Sequence, residues 1–242
     1  MGNSTSVTYP YVLTRLFMAY WKVAGKKDVQ VAGELGLTRS DFSKYKSGKH
    51  RMSADMLWQY TQGCGVSCST FLRQADRLCE ALTLNGIKVE GRNGSRLSAE
   101  VEAKMVRVAW GLVLAYWHAS EVKPTAGDVL RKVLEVNRIR VGRTPAEVSK
   151  LIGVSPSCWS RLVNTDTRIT IDLLGKAASA LDLSLLAMYR QAEGVFALWR
   201  GDSYIPEEEA PLAPHKDHEE RVVHTALSLC LIDAMQADTT TD

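Results

Sequence analysis

Two stretches of this sequence are related to each other by a constant shift of 117 positions. Without a gap, residues 12–75 and 129–192 are identical at 14 positions, and the run Arg73-Gln74-Ala75 recurs as Arg190-Gln191-Ala192. Coincidence would give roughly 4 identities over such a length. The chain therefore contains two copies of one unit of about 65 residues, close to the lower size limit for independent folding.

Apolar spacing and capping residues predict the same five helices in each copy. In the first copy they cover residues 11–23, 28–35, 39–46, 53–62 and 67–74, with Gly36 ending the second helix and Thr38 capping the third. In the second copy, Thr144-Pro145 and Ser155-Pro156 are strong start signals. Further helices are expected over 98–118 and 219–237. The predicted fold class is all-α.

The repeat also predicts the domain organisation. Residues 8–84 form a first five-helix domain, and residues 85–124 form a connector with a long helix. Residues 125–200 form a second five-helix domain, and residues 201–242 form an acidic linker with a C-terminal amphipathic helix. A short hairpin is an option around residues 91–94.

The charge is divided unevenly along the chain. Residues 1–96 carry 14 Lys/Arg and 7 Asp/Glu, residues 97–200 carry 14 and 10, and residues 201–242 carry 2 and 10. A basic body followed by an acidic tail suggests a polyanionic partner. The five cysteines have no paired spacing, and no apolar run reaches membrane-spanning length. We expect a reduced, cytoplasmic protein without a membrane partner.

One segment of the first copy resembles a known family. The string VQVAGELGLTRSDFSKYKSGK (residues 29–49) is similar to the helix-turn-helix of lambda-repressor-like, Cro-type DNA-binding domains. PAEVSKLIGVSPSCWSRLVN (residues 145–164) fits the same frame, but has Thr165 in place of the usual Gly and Pro156 in place of a polar base-reading residue. The resemblance implies two tandem helix-turn-helix domains that bind operator half-sites, as in bacterial, phage or mobile-element transcription regulators such as repressors.

The resemblance implies a set of DNA-contacting residues, because the N-terminal part of a recognition helix reaches base edges in the major groove. The candidates for base contacts are Arg39, Ser40, Ser43 and Lys44 in the first copy and Ser157, Ser160 and Arg161 in the second. The candidates for phosphate contacts are Lys26, Lys27, Thr38, Lys46, Lys49, His50, Arg51, Arg138, Arg140, Arg143, Ser155 and Arg168. The second copy has fewer donors and is expected to read DNA less specifically.

Other functions stay open at this point. A protein-interaction adaptor, or an antitoxin-like regulator in which one copy binds a protein, would use the same domains. A homodimer through the C-terminal helix or the 98–118 helix would cover their apolar stripes. No catalytic motif is visible, so we expect neither an enzyme nor a cofactor. His215, Asp217 and His218 lie in a loop without a preformed cage, so no metal site is predicted.

Overall fold

A computed structural model describes residues 6–47, 52–91, 97–117, 123–165, 167–202, 204 and 216–239. Helices dominate these residues, which confirms the all-α prediction. We call residues 6–117 the first half of the molecule and residues 123–239 the second half.

Six helices follow one another in the first half. They are α1 Tyr9–Val23, α2 Asp28–Glu34, α3 Arg39–Lys46, α4 Ala54–Gly63, α5 Cys68–Leu84 and α6 Ala99–Trp117. The hydroxyl groups of Thr38, Ser53 and Ser67 accept hydrogen bonds from the backbone N–H groups at the starts of α3, α4 and α5. These caps satisfy donors that have no partner inside the helix, which explains where each helix begins.

The described residues of the second half also form six helices. They are α7 Ala126–Arg140, α8 Pro145–Ile152, α9 Pro156–Asn164, α10 Ile171–Ala180, α11 Leu185–Trp199 and α12 Lys216–Thr239. Each begins 117 residues after its counterpart in the first half, including α12, which begins 117 residues after α6. The structural repeat therefore extends beyond the stretch of sequence identity and includes a sixth helix in each half.

The sixth helices are exchanged between the halves. Helix α12 packs against α1 and α5, whereas α6 packs against α7 and α11. The inward positions correspond, because buried Ala109 and Val113 of α6 lie 117 residues before buried Ala226 and Cys230 of α12. The buried residues of these apolar stripes, for which homodimerisation was one predicted role, pack within the chain. Val101 and Val108 on α6 and Ile232 on α12 are exposed.

Two short strands accompany the helices. β1 (Ser6–Thr8) pairs in parallel with β2 (Lys88–Glu90), with Val7 opposite Val89. The pairing joins the chain just before α1 to the segment just after α5. Residues 92–96, which include most of the predicted hairpin, lie outside the described residues. Within the described part of the chain, no helix is long and apolar enough to cross a membrane.

Candidate nucleic-acid interface

Helices α2 and α3 meet through a tight turn. Gly36 adopts a left-handed backbone conformation with φ of 63°, which a residue without a side chain adopts at little cost. The N–H of Leu37 then donates to the carbonyl oxygen of Ala32 at 2.8 Å. Thr38 starts α3 by accepting from the N–H of Asp41 at 3.1 Å. The sequence of the turn thus fixes the angle at which α3 leaves α2.

One side of α3 is anchored in the core of the first half. Phe42 and Tyr45 are buried, and the ring of Phe42 lies 4.9 Å from that of Trp21 on α1, centroid to centroid. Burial raises the pKa of Tyr45, and the positive charge of Arg168 in the second half opposes that shift. Helix α3 is therefore held by the core and lies near the boundary with the second half.

The opposite side of α3 is open to solvent. It consists of Arg39, Ser40, Ser43 and Lys44, all exposed as predicted, and we call it the α3 face. Lys44 forms an ion pair with Asp41 at 3.2 Å. Because exposed pairs of this kind contribute only about 0–1 kcal/mol, Lys44 can exchange this partner for another anion. The α3 face presents a guanidinium, an ammonium and two hydroxyl groups on one short helix.

Helices α8 and α9 repeat this arrangement in the second half. Gly153 has φ of 72° at the end of α8, and Ser155 caps α9 by accepting from the N–H of Cys158 at 3.2 Å. Trp159 and Leu162 are buried, while Ser157, Ser160 and Arg161 are exposed and form the α9 face. Pro156 is also exposed, at the position that corresponds to Arg39. The α9 face thus has one fewer charged donor at its N-terminal end.

The predicted phosphate contacts of the first half are placed as follows. Lys26 and Lys46 form ion pairs with Glu34 and Asp28 at 2.7 and 2.6 Å. Lys27 is exposed at the start of α2. Thr38 is the cap of α3, and its hydroxyl donates to the Asp41 carboxylate at 2.7 Å. Lys49, His50 and Arg51 lie outside the described residues.

Three predicted phosphate contacts of the second half have structural partners. The guanidinium of Arg138 pairs with Glu135 at 2.5 Å and donates to the carbonyl oxygen of Arg143 at 2.6 Å. Arg140 donates to the carbonyl oxygen of Leu181 at 2.7 Å, which ties α7 to the end of α10. Arg143 faces Asp182 at 3.4 Å. These contacts compete with any phosphate, whereas Arg168 is exposed after α9.

One positioning residue was missed by sequence reasoning. Arg131 on α7 is buried, and it donates to the carbonyl oxygens of Leu162 and Thr167 at 3.2 and 2.8 Å. Its charge is balanced by Asp128 at 2.8 Å. Arg131 therefore fixes the C-terminal end of α9. An arginine at a core-facing helical position was the available signal, but the sequence does not show that its partners lie 31 to 36 residues away.

A polar cleft of about 1150 Å³ lies apart from the α3 and α9 faces, between α1 and α5 on one side and α10 on the other. Charged side chains of both signs line it: Arg73, Asp76, Glu80, Asp172 and Lys176. In the corresponding place on the other side of the molecule, Trp58 packs on Phe196 with ring centroids 4.7 Å apart. The residue 117 positions after Trp58 is Gly175. Gly175 lines the cleft, and no described atom outside its own helix lies within 4 Å of the position that its Cβ would take.

Comparisons with protein-family models, with curated proteins and with solved structures find no match for this chain. Among the described residues, no group of three His, Cys, Asp or Glu side chains is arranged to hold a metal ion.

Proposed function

We propose that this protein is a sequence-specific DNA-binding transcription regulator with two helix-turn-helix domains, in which α3 and α9 enter the major groove of operator half-sites. The α3 face carries the proposal. Its four polar side chains are exposed along a helix whose other side is buried. A helix with one buried side and one exposed polar side fits the width of the major groove and presents hydrogen-bond donors to base edges.

The chemistry of the α3 face suits base recognition. The planar guanidinium of Arg39 can donate two hydrogen bonds to the O6 and N7 atoms of a guanine. The hydroxyl groups of Ser40 and Ser43 can donate or accept and so suit several bases. Asp41 lies on the first turn of the same helix, but its carboxylate is engaged by Thr38 and Lys44. These contacts reduce its repulsion of phosphate.

The charge distribution favours DNA over a protein partner. Most of the positive charge lies before residue 200, and the flanking Lys27 and Arg168 are exposed beside α2 and α9. Phosphate contacts from such residues supply affinity for any duplex and make it fall steeply with salt. A protein-docking module would not need basic side chains around both exposed helices.

Arg39→Ala tests the assignment of the α3 face. Selection of bound duplexes from a random library first gives the preferred sequence of the full chain. Arg39→Ala is then expected to lose discrimination at one base pair, at a cost of about 1–3 kcal/mol, while affinity for random duplex changes little. Titration of both duplexes at fixed salt measures this.

The matched control is Arg107→Ala, which removes an exposed arginine from α6, away from the α3 face. It is expected to leave discrimination unchanged. If Arg39→Ala, like Arg107→Ala, changes affinity for the selected duplex and for random duplex by the same factor, α3 does not read bases.

A further inference from the structure

The two halves meet through reciprocal contacts. The N–H of Ala54 donates to the carbonyl oxygen of Ile169 at 2.9 Å, and the N–H of Ile171 donates to that of Met52, also at 2.9 Å. Ile171 lies 117 positions after Ala54, and Ile169 lies 117 positions after Met52. The second hydrogen bond is therefore the counterpart of the first with the two halves interchanged. Such isologous contacts define an approximate twofold axis, which passes between Ser53 and Thr170.

Other pairs of contacts obey the same axis. Helix α5 packs against its own counterpart α11, as it must if a twofold axis lies between them. The exchange of α6 and α12 is reciprocal as well. Inside each half, Tyr20 donates to Gln74 at 2.6 Å, as the corresponding Asn137 donates to Gln191 at 2.7 Å. The chain is therefore built like a dimer whose two halves are covalently joined.

We propose that one chain binds one non-palindromic operator, made of two partly unlike half-sites in inverted orientation with their centres one helical turn apart. The proposal rests on the function proposed above. It adds the orientation, spacing and asymmetry of the DNA site, and it makes a single chain the binding unit.

The inverted orientation follows from the axis. A twofold rotation leaves heights along its axis unchanged and reverses directions perpendicular to it. Helices α3 and α9 therefore lie at the same height and point in opposite directions across the axis. B-DNA has local twofold axes of its own, and two related helices enter the grooves equivalently only when the axes coincide. Half-sites related by such an axis are inverted. Two domains connected only by a flexible linker would also accept half-sites arranged as direct repeats.

The spacing follows from the nearness of α3 to the axis. The side chain of Tyr45 interacts with the Ser53 backbone, so the α carbon of Tyr45 lies on the order of 10 Å from Ser53. Pairing places Ser53 about 5 Å from Thr170. With the corresponding distance in the second half, the C-terminal ends of α3 and α9 are at most about 25 Å apart. The N-terminal end of each helix lies about 9 Å further along its axis. The N-terminal ends of α3 and α9 are therefore at most ~43 Å apart.

A separation of at most ~43 Å accommodates two half-sites one turn of DNA apart, about 34 Å, but not two turns apart. Because the halves share backbone hydrogen bonds and exchanged helices, this separation is fixed and cannot adapt to other spacings. One spacing is therefore expected to dominate.

The asymmetry follows from a comparison of the two faces. Ser40 corresponds to Ser157, and Ser43 corresponds to Ser160. Lys44 corresponds to Arg161, so these positions favour similar bases in both half-sites. Arg39, however, corresponds to Pro156, whose ring has no donor and suits apolar contact with a thymine methyl group. The half-sites are thus expected to differ mainly at the base pair that Arg39 reads.

The first experiment changes the DNA. The operator selected by the full chain from random duplexes is rebuilt with one half-site reversed, with 5 bp inserted between half-sites, and with 10 bp inserted. Each change is expected to weaken binding about 100-fold or more, because the second helix loses its site. Native mass spectrometry is expected to find one chain per operator. Equal affinity for reversed and original operators, or two chains per operator, would overturn the proposal.

The second experiment changes the protein. Pro156→Arg gives α9 the residue that α3 has at the same position, and selection with this variant is expected to return a more palindromic operator. Val108→Arg, at an exposed site on α6, adds the same charge elsewhere and is expected to return the original operator. An unchanged operator for Pro156→Arg would refute the asymmetry. If the unmodified chain selects no sequence at all, the proposed function fails together with this inference.

Discussion

At the scale of single residues, a buried ion pair joins the exchanged helix α6 to α11. The carboxylate of Glu102 lies 3.0 Å from Nε of Arg190, and only 1% and 10% of the two side chains are exposed. The hydroxyl of Tyr204 donates to the same carboxylate at 2.8 Å. Paired charges are tolerated in such a site because each offsets the lost hydration of the other.

Removal of one member of this pair should be costly. Glu102→Gln removes the carboxylate that pairs with buried Arg190, so we expect the free energy of unfolding to fall by up to about 3–5 kcal/mol. Urea denaturation of the full chain measures this. The double variant Glu102→Gln, Arg190→Met is the control and should recover most of the loss. A single variant as stable as the original chain would show that the pair is not buried as described.

At the scale of helices, capping residues made the starts of the elements predictable. The predicted range of α3 coincides with the observed Arg39–Lys46, and the hydroxyl of Thr38 caps its start as expected. The exposed sides of α3 and α9 also followed from the spacing of Phe42, Tyr45 and Trp159. Local chemistry determines these features, so one copy of the sequence was enough to predict them.

The packing partner of the sixth helix was not predictable in the same way. Helices α6 and α12 share five identities at the same shift of 117 positions, which are Glu102 with Glu219, Val106 with Val223, Ala109 with Ala226, Leu112 with Leu229 and Leu114 with Leu231. An apolar stripe shows that a helix is covered but does not show which element covers it. The exchange between halves depends on tertiary contacts, such as those of α12 with α1 and of Glu102 with Arg190, for which the sequence carries no local signal.

Substitution of a buried position on α12 tests the exchange. Ala226 is fully buried where α12 packs against α1 and α5. Ala226→Asp is expected to lower the free energy of unfolding by about 3 kcal/mol or more, because it buries an unpaired carboxylate. Ser228→Asp, two residues on and exposed, should stay within about 0.5 kcal/mol of the original chain. Equal denaturation midpoints for both variants would mean that α12 does not cover this core.

At the scale of the whole molecule, the halves are interlocked as well as linked. Each half contributes its sixth helix to the core of the other, and residues 118–122 are the covalent link between them. Because contacts rather than the link hold the halves together, the link should be dispensable once folding is complete.

A protease site introduced into residues 118–122 tests this prediction. After complete cleavage, the two fragments are expected to migrate as one particle with the size of the intact chain in size-exclusion chromatography. Addition of denaturant should then separate them. Fragments that part under native conditions would contradict the exchange of α6 and α12.

The covalent joining of the two halves also affects how occupancy responds to the amount of protein. Regulators that assemble from separate subunits lose binding on dilution, because their monomers dissociate and bind weakly. In the proposed complex the second DNA contact is intramolecular, so its effective concentration does not fall as the protein becomes scarce. A graded, hyperbolic titration is expected in place of a switch-like one, and such a response suits a factor present in a few copies per cell.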